Sequence, residues 1–327
     1  MPPFDITLAG DSALDLLLLG LPEDLPLERE LLVERMQLAL GGSAAITAHN
    51  LAALGARVGL ITPRGGDLFA RNCMQQLEAA GVDLSRAVPS PESGGLTVML
   101  QHQVLRRALT FPGNATGLRL ADLDLDYLAS ARHFHLSSFF LQRNLRDDVP
   151  HLFRTLKDAG LTLSLDTNDD PWDEWSGAFA ESLALVDVFL PNQREACRLT
   201  GLPDPAHAAE KLRREVPTLV LKQGSAGATV FHGDSHESQT PVDAEFFDGV
   251  GAGDSFNAGF LSAYVERASP SECLRQGNLA GAFSTTAAGG TTAFQDRERL
   301  HQFFALHGAS SQHGATSLSN SKAVPHP

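Results

Sequence analysis

The residues best suited to chemistry lie in the segment EFFDGVGAGDSFNAGFLSAYV. In it Asp248 and three alternating glycines, Gly249, Gly251 and Gly253, lead to Asp254 and then to apolar residues at helical spacing, so a helix is predicted to begin near Asp254. Glycines at such a junction leave backbone N–H groups bare, and the helix dipole favours an anion there. The pattern predicts a phosphate site in which Asp254 is either a reactive carboxylate or only a helix cap.

Two common phosphate-binding loops do not fit this chain. In GVGAGD an aspartate stands where the dinucleotide fingerprint requires its third glycine, and no GxxxxGK[ST] sequence occurs. A Rossmann dehydrogenase and a P-loop enzyme are therefore disfavoured.

Composition limits the class of protein. The chain has 327 residues and a formal net charge of −14, from 25 basic and 39 acidic side chains, without a basic run that would bind nucleic acid. Cys73, Cys197 and Cys273 have no metal-site or disulfide spacing, and neither a signal peptide nor a membrane span is indicated. We expect a cytoplasmic protein with reduced thiols that binds neither nucleic acid nor membrane.

Short apolar runs alternate with segments of helical period over most of residues 1–290, which is typical of parallel strands joined by helices. The predicted strands are FDITLAG, ARVGLITP, HFHLSSF, LTLSLDT, LVDVFLP, TLVLKQG and GATVFHG. The predicted helices are 44–54, 67–80, 147–159, 193–199, 205–214, 254–267 and 270–288. We expect one α/β domain over residues 1–305, with a mainly parallel sheet covered by helices on both faces.

Two inserted segments, about 16–40 and 92–112, break this alternation and predict a small β lid over the carboxyl edge of the main sheet. Residues 306–327 are rich in Ser, Gly, Asn and Pro, and we expect them to be disordered.

The glycine-rich segment resembles the second signature of the ribokinase-like, or PfkB-type, carbohydrate kinases, which is close to D-T-x-G-A-G-D-x-F. The matching residues are Asp248, Gly251, Ala252, Gly253, Asp254 and Phe256. The resemblance implies the three-layer fold of that family, with Asp254 as the catalytic base. It also implies an anion hole formed by the amides of Gly251, Ala252, Gly253 and Asp254.

The segment GGSAAITAHNLAALG resembles the first signature of the family, and it implies that Gly41 and Gly42 line the substrate site. Ile46 stands where a substrate-binding Asn is usual, so the substrate is either less rich in hydroxyl groups or recognised by other residues. In LAGDSALD, Asp15 fits the family's substrate-binding Asp, and Asp11 is the alternative.

Two other segments resemble family elements near the substrate and the metal. Asn192 and Glu195 match N-x-x-E, which holds Mg²⁺ through water, although the spacing also suits a helix capping box, and both can hold. In LDTNDD, Asn168 fits a substrate-binding position, whereas Asp170 replaces a frequent Arg, which argues against 2-keto-3-deoxygluconate and sugar phosphates. Arg107 lies in the second insert, either touching substrate or solvated.

The nucleotide is expected to bind where glycines leave room beside the last strands. The resemblance assigns this role to Lys222, Gly224, Gly227, Gly251, Gly253 and Asn278. Lys222 either approaches a phosphate or is solvated. Asp248, with residues 284–291, is a candidate site for a monovalent cation such as K⁺.

Together these features predict transfer of the γ-phosphate of ATP to a hydroxyl of a small sugar, with Mg²⁺ and with Asp254 as base. The alternatives are a nucleoside kinase of the same fold and a catalytically silent regulator that binds sugar or nucleotide. A homodimer is expected because lids of this kind often pair between subunits in relatives. His133 and His135 are interpreted as structural.

Overall fold

The computed structural model describes residues 2–22, 24–102 and 105–308. The tip of the predicted lid turn at 103–104 and all of the predicted tail after residue 308 lie outside the described residues. The last described helix runs to Gly308, three residues beyond the predicted domain boundary at 305.

The main sheet has eight strands in the order β14-β13-β12-β11-β10-β9-β1-β4. Pairing is parallel from β12 to β4, and only β13 and β14 are antiparallel. All seven predicted strands are found in it, which confirms the predicted α/β architecture. The strands of the chain are β1 Ile6–Ala9, β2 Ala13–Leu19, β3 Arg35–Gly41, β4 Val58–Ile61, β5 Pro63–Arg64, β6 Val88–Pro89, β7 Gly95–His102, β8 Leu105–Phe111, β9 His133–Leu136, β10 Thr162–Leu165, β11 Val188–Phe189, β12 Thr218–Lys222, β13 Ala228–His232 and β14 Ser235–Gln239.

Helices cover both faces of this sheet. They are α1 Ser43–Ala53, α2 Leu68–Ala80, α3 Leu125–Ala129, α4 Val149–Asp158, α5 Phe179–Leu183, α6 Gln193–Thr200, α7 Pro205–Leu212, α8 Ala252–Val265, α9 Pro270–Ser284, α10 Thr292–Gln295 and α11 Arg297–Gly308. One apolar core joins β1 and β4 to α1, α2, α8 and α9, and a second joins β9 and β10 to α4, α5 and α7. Strands buried on both faces explain why the sequence shows continuous apolar runs. None of the helices in the described part of the chain is long and apolar enough to cross a membrane.

The two inserted segments form a second, four-stranded sheet of order β3-β2-β7-β8, here called the lid sheet. Side chains alternate between its faces, so the pairing Asp15↔Thr97 puts these two residues on one face. Leu16↔Leu38 lies on the other face, where Leu38 is exposed. The lid sheet therefore has a polar face that carries Asp15 and an apolar face that meets solvent.

Candidate active site

The glycine-rich turn leads directly into α8, which begins at Ala252, two residues earlier than predicted. Gly251 precedes the helix with φ 70°, and a Cβ there would lie 2.5 Å from the Cα of Gly290. Only glycine fits at position 251, because the backbone of Gly290 comes so close. No side chain caps the first turn of α8. The amide of Ala252 makes only a long bond to the Gly249 carbonyl, at 3.4 Å, so the first turn can present amide groups to an anion, and the predicted anion hole stays a prediction.

Asp254 lies in this first turn, but its side chain does not cap the helix. Its Oδ1 accepts a hydrogen bond from the hydroxyl of Ser43, at the start of α1. Desolvation raises the pKa of Asp254 to about 8, and the charges of Asp166 and Asp11 act in the same direction. Ser43 and the Lys222 cation oppose that rise. A carboxyl group with such a pKa can hold a proton and release it near neutral pH.

The two acids near the N-terminus have different places. Asp11 accepts hydrogen bonds from the amides of Ser43 (2.9 Å) and Ala44 (3.3 Å), so it fixes the start of α1. Asp15 is buried on the lid sheet, and a Cβ at Gly41 would lie 2.3 Å from its Oδ1. The prediction that Asp15, rather than Asp11, faces a substrate is compatible with this placement, because Asp11 already serves the helix.

Burial raises the pKa of Asp15 to about 7, and the nearby Asp248 and Asp11 add to the rise. A hydrogen bond with Thr97 opposes it. Asp15 and Asp254 thus enter the site from the lid sheet and from α8 as two carboxyl groups that titrate near neutrality.

Lys222, at the end of β12, is buried rather than solvated. Its Nζ donates to Asp166 Oδ2 at 2.7 Å and to Asn257 Oδ1 at 3.3 Å, and Asn257 Nδ2 also donates to Asp166. A Cβ at Gly253 would lie 3.6 Å from Nζ, so the ammonium group adjoins the glycine-rich turn. The buried cation therefore stands beside the amides predicted to bind phosphate.

A cleft of about 580 Å³ opens next to this turn, between the β12–β13 connection and helices α8 and α9. Five of the residues predicted to bind nucleotide line it: Lys222, Gly224, Gly227, Gly253 and Asn278. Phe246, Val242 and Phe256 supply apolar surface. Gly227, at the edge of the cleft, has a φ of 90°, and a Cβ there would lie 2.0 Å from the carbonyl oxygen of Gln239. A side chain at this position would therefore collide with the backbone that borders the cleft. Volume and lining suit a nucleotide-sized ligand.

Asn192 and Glu195 form a reciprocal capping box at the start of α6. Glu195 is buried, and desolvation together with the Asp166 charge raises its pKa to about 7. Among the described residues no group of three or more His, Cys, Asp or Glu side chains is placed to hold a metal directly. The structural role of the pair is thus evident, and its predicted metal role stays a prediction.

Asp248 is buried beneath the turn. Its Oδ1 accepts from Val250 N at 3.2 Å and its Oδ2 from Gly289 N at 2.8 Å. The carboxylate ties the glycine-rich turn to the 284–291 segment, and the candidate cation site there stays a prediction.

Asn168 follows β10 with φ 52°, and its Nδ2 donates to Ser138 Oγ at 3.1 Å. It therefore lies at the carboxyl edge, close to Asp166, whose Oδ1 accepts from its backbone N–H.

Asp170 bonds backbone amides that follow it in the chain. Its carboxylate accepts from the backbone amides of Trp172 (3.0 Å), Glu174 (2.8 Å) and Trp175 (2.7 Å). This acid therefore holds its own loop. The expectation that its charge disfavours 2-keto-3-deoxygluconate and sugar phosphates stays a prediction.

Arg107 is not brought to the site. It pairs with Leu100 on β7, whereas Thr110 pairs with Thr97, which shares a face with Asp15. Because Arg107 and Thr110 are three positions apart on one strand, Arg107 lies on the opposite, solvent-exposed face. The alternative of a solvated Arg agrees with this register.

Sequence reasoning missed two residues that contact the predicted ones: Ser43, which bonds Asp254, and Asn257, which bonds Lys222. Asp166 fits the same family segment as Asn168, but its contact with Lys222 was not predicted. Ser43 directly follows the glycine pair 41–42 at the start of a helix, and this signal was available. The contacts of Asn257 needed the packing of α8 on the sheet and had no local signal.

Comparison with known proteins agrees with this arrangement. The family model described as pfkB family carbohydrate kinase matches residues 13–297. The chain is 28% identical over 278 residues to a 2-dehydro-3-deoxygluconokinase of Bacillus subtilis, covering 81% of this chain and 86% of that protein. It is 29% identical over 244 residues to a cytidine kinase of Thermococcus kodakarensis, covering 72% and 84%.

Solved structures share the fold. A putative ribokinase II of E. coli superposes with a TM-score of 0.81 at 21% identity, covering 93% of this chain and 100% of that one. An Arabidopsis thaliana ribokinase, solved with ribose and ATP, gives 0.79 at 25% identity, covering 93% and 99%. Because the family model spans most of the sequence and the fold agrees with it, this protein belongs to the pfkB family of carbohydrate kinases.

Proposed function

We propose that the protein transfers the γ-phosphate of ATP to a hydroxyl of a small sugar, with Asp254 as general base. The observation that carries this proposal is the position of Asp254 in the uncapped first turn of α8, hydrogen-bonded to Ser43 and next to the buried Lys222. A base and a set of anion-binding amides thus meet at one point, which is what phosphoryl transfer to an alcohol needs.

In this mechanism the adenine lies in the cleft and the phosphates point toward the glycine-rich turn. Asp254 accepts the proton of the acceptor hydroxyl as that oxygen attacks the γ-phosphorus in line, while the bond from this phosphorus to the bridging oxygen breaks and ADP leaves. The amides of Gly251, Ala252 and Gly253 then stabilise negative charge on the phosphoryl oxygens. Lys222 compensates part of the same charge. The acceptor is held by Asp15 from the lid sheet, with Gly41, Gly42 and Asn168 beside it, and closure of the lid excludes water.

The donor set at α6 fits a hydrated Mg²⁺, because both residues offer hard oxygen atoms and a cation would favour the ionised form of the buried Glu195. Asn192 and Glu195 would hold the ion through water. When bound, it would neutralise phosphate charge. Asp248 and the 284–291 segment remain our candidate for K⁺.

Ile46 does not favour one acceptor class. Its side chain is buried against the two glycines of the turn. A Cβ added to Gly290 would lie 2.9 Å from the Ile46 Cδ1, and a Cβ added to Gly251 would lie 3.2 Å from it. It therefore packs beneath the phosphate turn. The relatives named as sugar kinases and as nucleoside kinases support a shared acceptor feature, a ribose-like or open-chain polyol.

The test is ADP release from ATP and Mg²⁺ with a panel of pentoses, hexoses, ketoses, deoxy-sugars, 2-keto-3-deoxygluconate and nucleosides. With the accepted compound, Asp254→Asn should lower kcat at least about a hundredfold, since a general base contributes roughly 10²–10⁴. Asp158→Asn, the same change on the exposed part of α4, should behave as wild type.

Turnover in Asp254→Asn within tenfold of wild type would remove the proposed base. Binding of ATP without turnover on any member of the panel would favour the catalytically silent regulator. Turnover with nucleosides alone would favour the nucleoside kinase.

A further inference from the structure

Four hydrogen bonds join five polar side chains inside the main sheet, on β9 and β10. They run from Thr162 Oγ1 to His133 Nδ1 (2.8 Å), from His133 Nε2 to Ser164 Oγ (2.7 Å), from Ser164 Oγ to His135 Nδ1 (2.7 Å) and from His135 Nε2 to Ser137 Oγ (2.9 Å). All except Thr162 are fully buried. These five residues are called the relay.

The relay has only two complete arrangements of its protons. Burial lowers the pKa of His133 to about 3 and of His135 to about 4, so both rings are neutral and each carries one proton. Ser164 lies between the two rings and has a single proton, so it donates to one ring and must accept from the other. It follows that both rings carry their proton on Nε2, or both on Nδ1.

The two ends of the relay lie at opposite edges of the sheet, about 13 Å apart for four residues of strand. Ser137 is at the carboxyl edge, next to Ser138, whose hydroxyl accepts from the predicted substrate residue Asn168. Thr162 is at the amino edge. A change at one end reverses every bond in the relay and so reaches the other end.

Thr162 lines a cavity of about 700 Å³ at the amino edge, far from Asp254. Phe260, Val265 and Cys273 form an apolar wall, and Thr218, bonded to His232 at 2.9 Å, adds a hydroxyl.

The charges around this cavity are largely neutralised. Arg132 pairs with Asp5 and Glu266, each at 2.7 Å, and Asp187 pairs with Lys157 at 2.9 Å. The remaining charged lining residue, Arg267, is exposed to solvent. The lining therefore suits an uncharged ligand.

We propose that this cavity is a second ligand site, for a small uncharged molecule with an apolar face and one hydroxyl or carbonyl group, and that the relay transmits its occupancy to the acceptor side of the active site. Thr162 Oγ1 also donates to the Arg132 carbonyl at 3.5 Å and is hydrogen-bonded to Tyr264, and both of these residues line the cavity. A ligand that donates to Thr162 Oγ1 and displaces the long contact with the Arg132 carbonyl leaves the Thr162 proton to His133, and both rings then carry the proton on Nε2. A ligand that accepts from Thr162 favours the Nδ1 arrangement, in which the Ser137 hydroxyl must donate to His135. The relay is thus a two-state element that both ends can bias.

The test uses ¹⁵N-histidine-labelled full-length protein, with the ring nitrogens of His133 and His135 assigned from single His→Gln variants. The probe is phenol, which has an apolar ring and one hydroxyl. Both rings should show the same tautomer, and saturating phenol should shift the tautomer ratio of both at least twofold. In Ser164→Ala, phenol should still shift His133 but leave His135 unchanged.

Ser182→Ala is the matched control, because Ser182 is equally buried and its hydroxyl donates only to the carbonyl of Ala178. It should respond as wild type does. With the accepted substrate identified, phenol should also change the acceptor KM at least twofold in wild type and in Ser182→Ala, but not in Ser164→Ala.

Four results would each overturn the proposal. The first two are opposite tautomers in the two rings, and a His135 response to phenol in Ser164→Ala that equals the wild-type response. The other two are no tautomer shift with phenol in wild type, and an acceptor KM that phenol does not change. The NMR measurement needs no turnover, so its failure is distinct from failure of the kinase assignment.

Discussion

At the scale of single residues, the proposed reaction depends on the protonation state of Asp254. Three carboxyl groups, Asp254, Asp15 and Glu195, have pKa values raised to about 8, 7 and 7. In each case burial is the largest cause. The unliganded site thus avoids carrying its full negative charge before polyphosphate arrives, which removes a repulsion that the net charge of −14 would otherwise strengthen.

The pH dependence of kcat/KM should report the ionisation of Asp254. A general base acts when it is ionised, so kcat/KM should increase as pH rises and level off above about 8, the raised pKa. Ser43→Ala removes a hydrogen bond that lowers this pKa, so the rise should move to higher pH by about one unit. Steady-state kinetics across pH 6–10 measures both profiles.

Ser43→Thr keeps a hydroxyl and is the control, with a profile near that of wild type. A Ser43→Ala profile displaced to lower pH would contradict the assignment, because it would mean that Ser43 favours the protonated acid.

Local sequence was sufficient for residues whose position depends on their neighbours in the chain, such as Asp254, which lies in the first turn of α8 after its alternating glycines. It did not reveal the contacts of Asp170, because an acid in a loop can turn back onto backbone amides two to five residues ahead, and the sequence does not show which way it points. It also left Lys222 undecided, since the Asp166 that neutralises it lies 56 residues away.

At the scale of elements, the junction of the glycine-rich turn with α8 holds the phosphate site in place. The turn packs on Gly290, and Asn50 of α1 donates to the Gly290 carbonyl at 3.0 Å and to Ser255 Oγ at 2.9 Å. Three separate segments therefore fix the positions of the amides at 251–254, so these groups need little reorganisation when charge develops.

Gly251→Ala and Gly253→Ala should have opposite effects on stability. At Gly251 a methyl group meets the Gly290 Cα at 2.5 Å with φ at 70°, so unfolding in urea should reveal a loss of at least about 2 kcal/mol. At Gly253 the nearest atom is 3.6 Å away, so stability should be kept or slightly raised.

Gly253 lines the cleft, however, and its methyl group would face the phosphates, so Gly253→Ala should raise the KM for ATP. Equal stability of the two variants would show that the turn can relax away from Gly290.

The predicted strands and helices agree with the structure because their apolar periods are long and regular. The start of α8 was placed two residues late, since glycines 251 and 253 and Ala252 give no periodic signal. Arg107 was left undecided because a strand's register with its partner decides which face a residue occupies, and period-two patterns do not reveal register. The same limit hid the relay, which depends on the pairing of His133 with Thr162.

At the scale of the whole molecule, the apolar face of the lid sheet is exposed to solvent, because no other element that the structure describes packs on it. Met36, Leu38, Leu109 and Phe111 are 63%, 48%, 61% and 59% exposed on it. The register of the four strands gathers these side chains on one face. A contiguous patch of this kind is typical of an interface, and it supports our expectation of a homodimer.

Leu38→Glu should convert the protein from dimer to monomer, because a carboxylate buried against its symmetry mate would be unpaired. Sedimentation velocity at micromolar concentration measures the change. Leu68→Glu is the control, since Leu68 is also exposed but lies on α2, away from the lid sheet. A wild-type monomer, or a Leu38→Glu dimer, would contradict this interface.

The architecture was predictable from the alternation of apolar runs, and the lid was predictable from the two segments that interrupt it. The apolar face of the lid sheet was not predictable, because the leucines of β2 and β3 cannot be distinguished from ordinary core residues until the register of the strands is known.

The contact between Ser43 and Asp254 joins residues that are 211 positions apart in the sequence. A ribosome makes the chain in order, and the six parallel strands of the main sheet all lie within residues 6–222. Most of the sheet can therefore form on the nascent chain while α8 and the glycine-rich turn are still to be made. Until those last elements leave the exit tunnel, the growing protein lacks the residues that we propose to hold the γ-phosphate. On that proposal, a partly synthesised molecule would be unable to consume ATP.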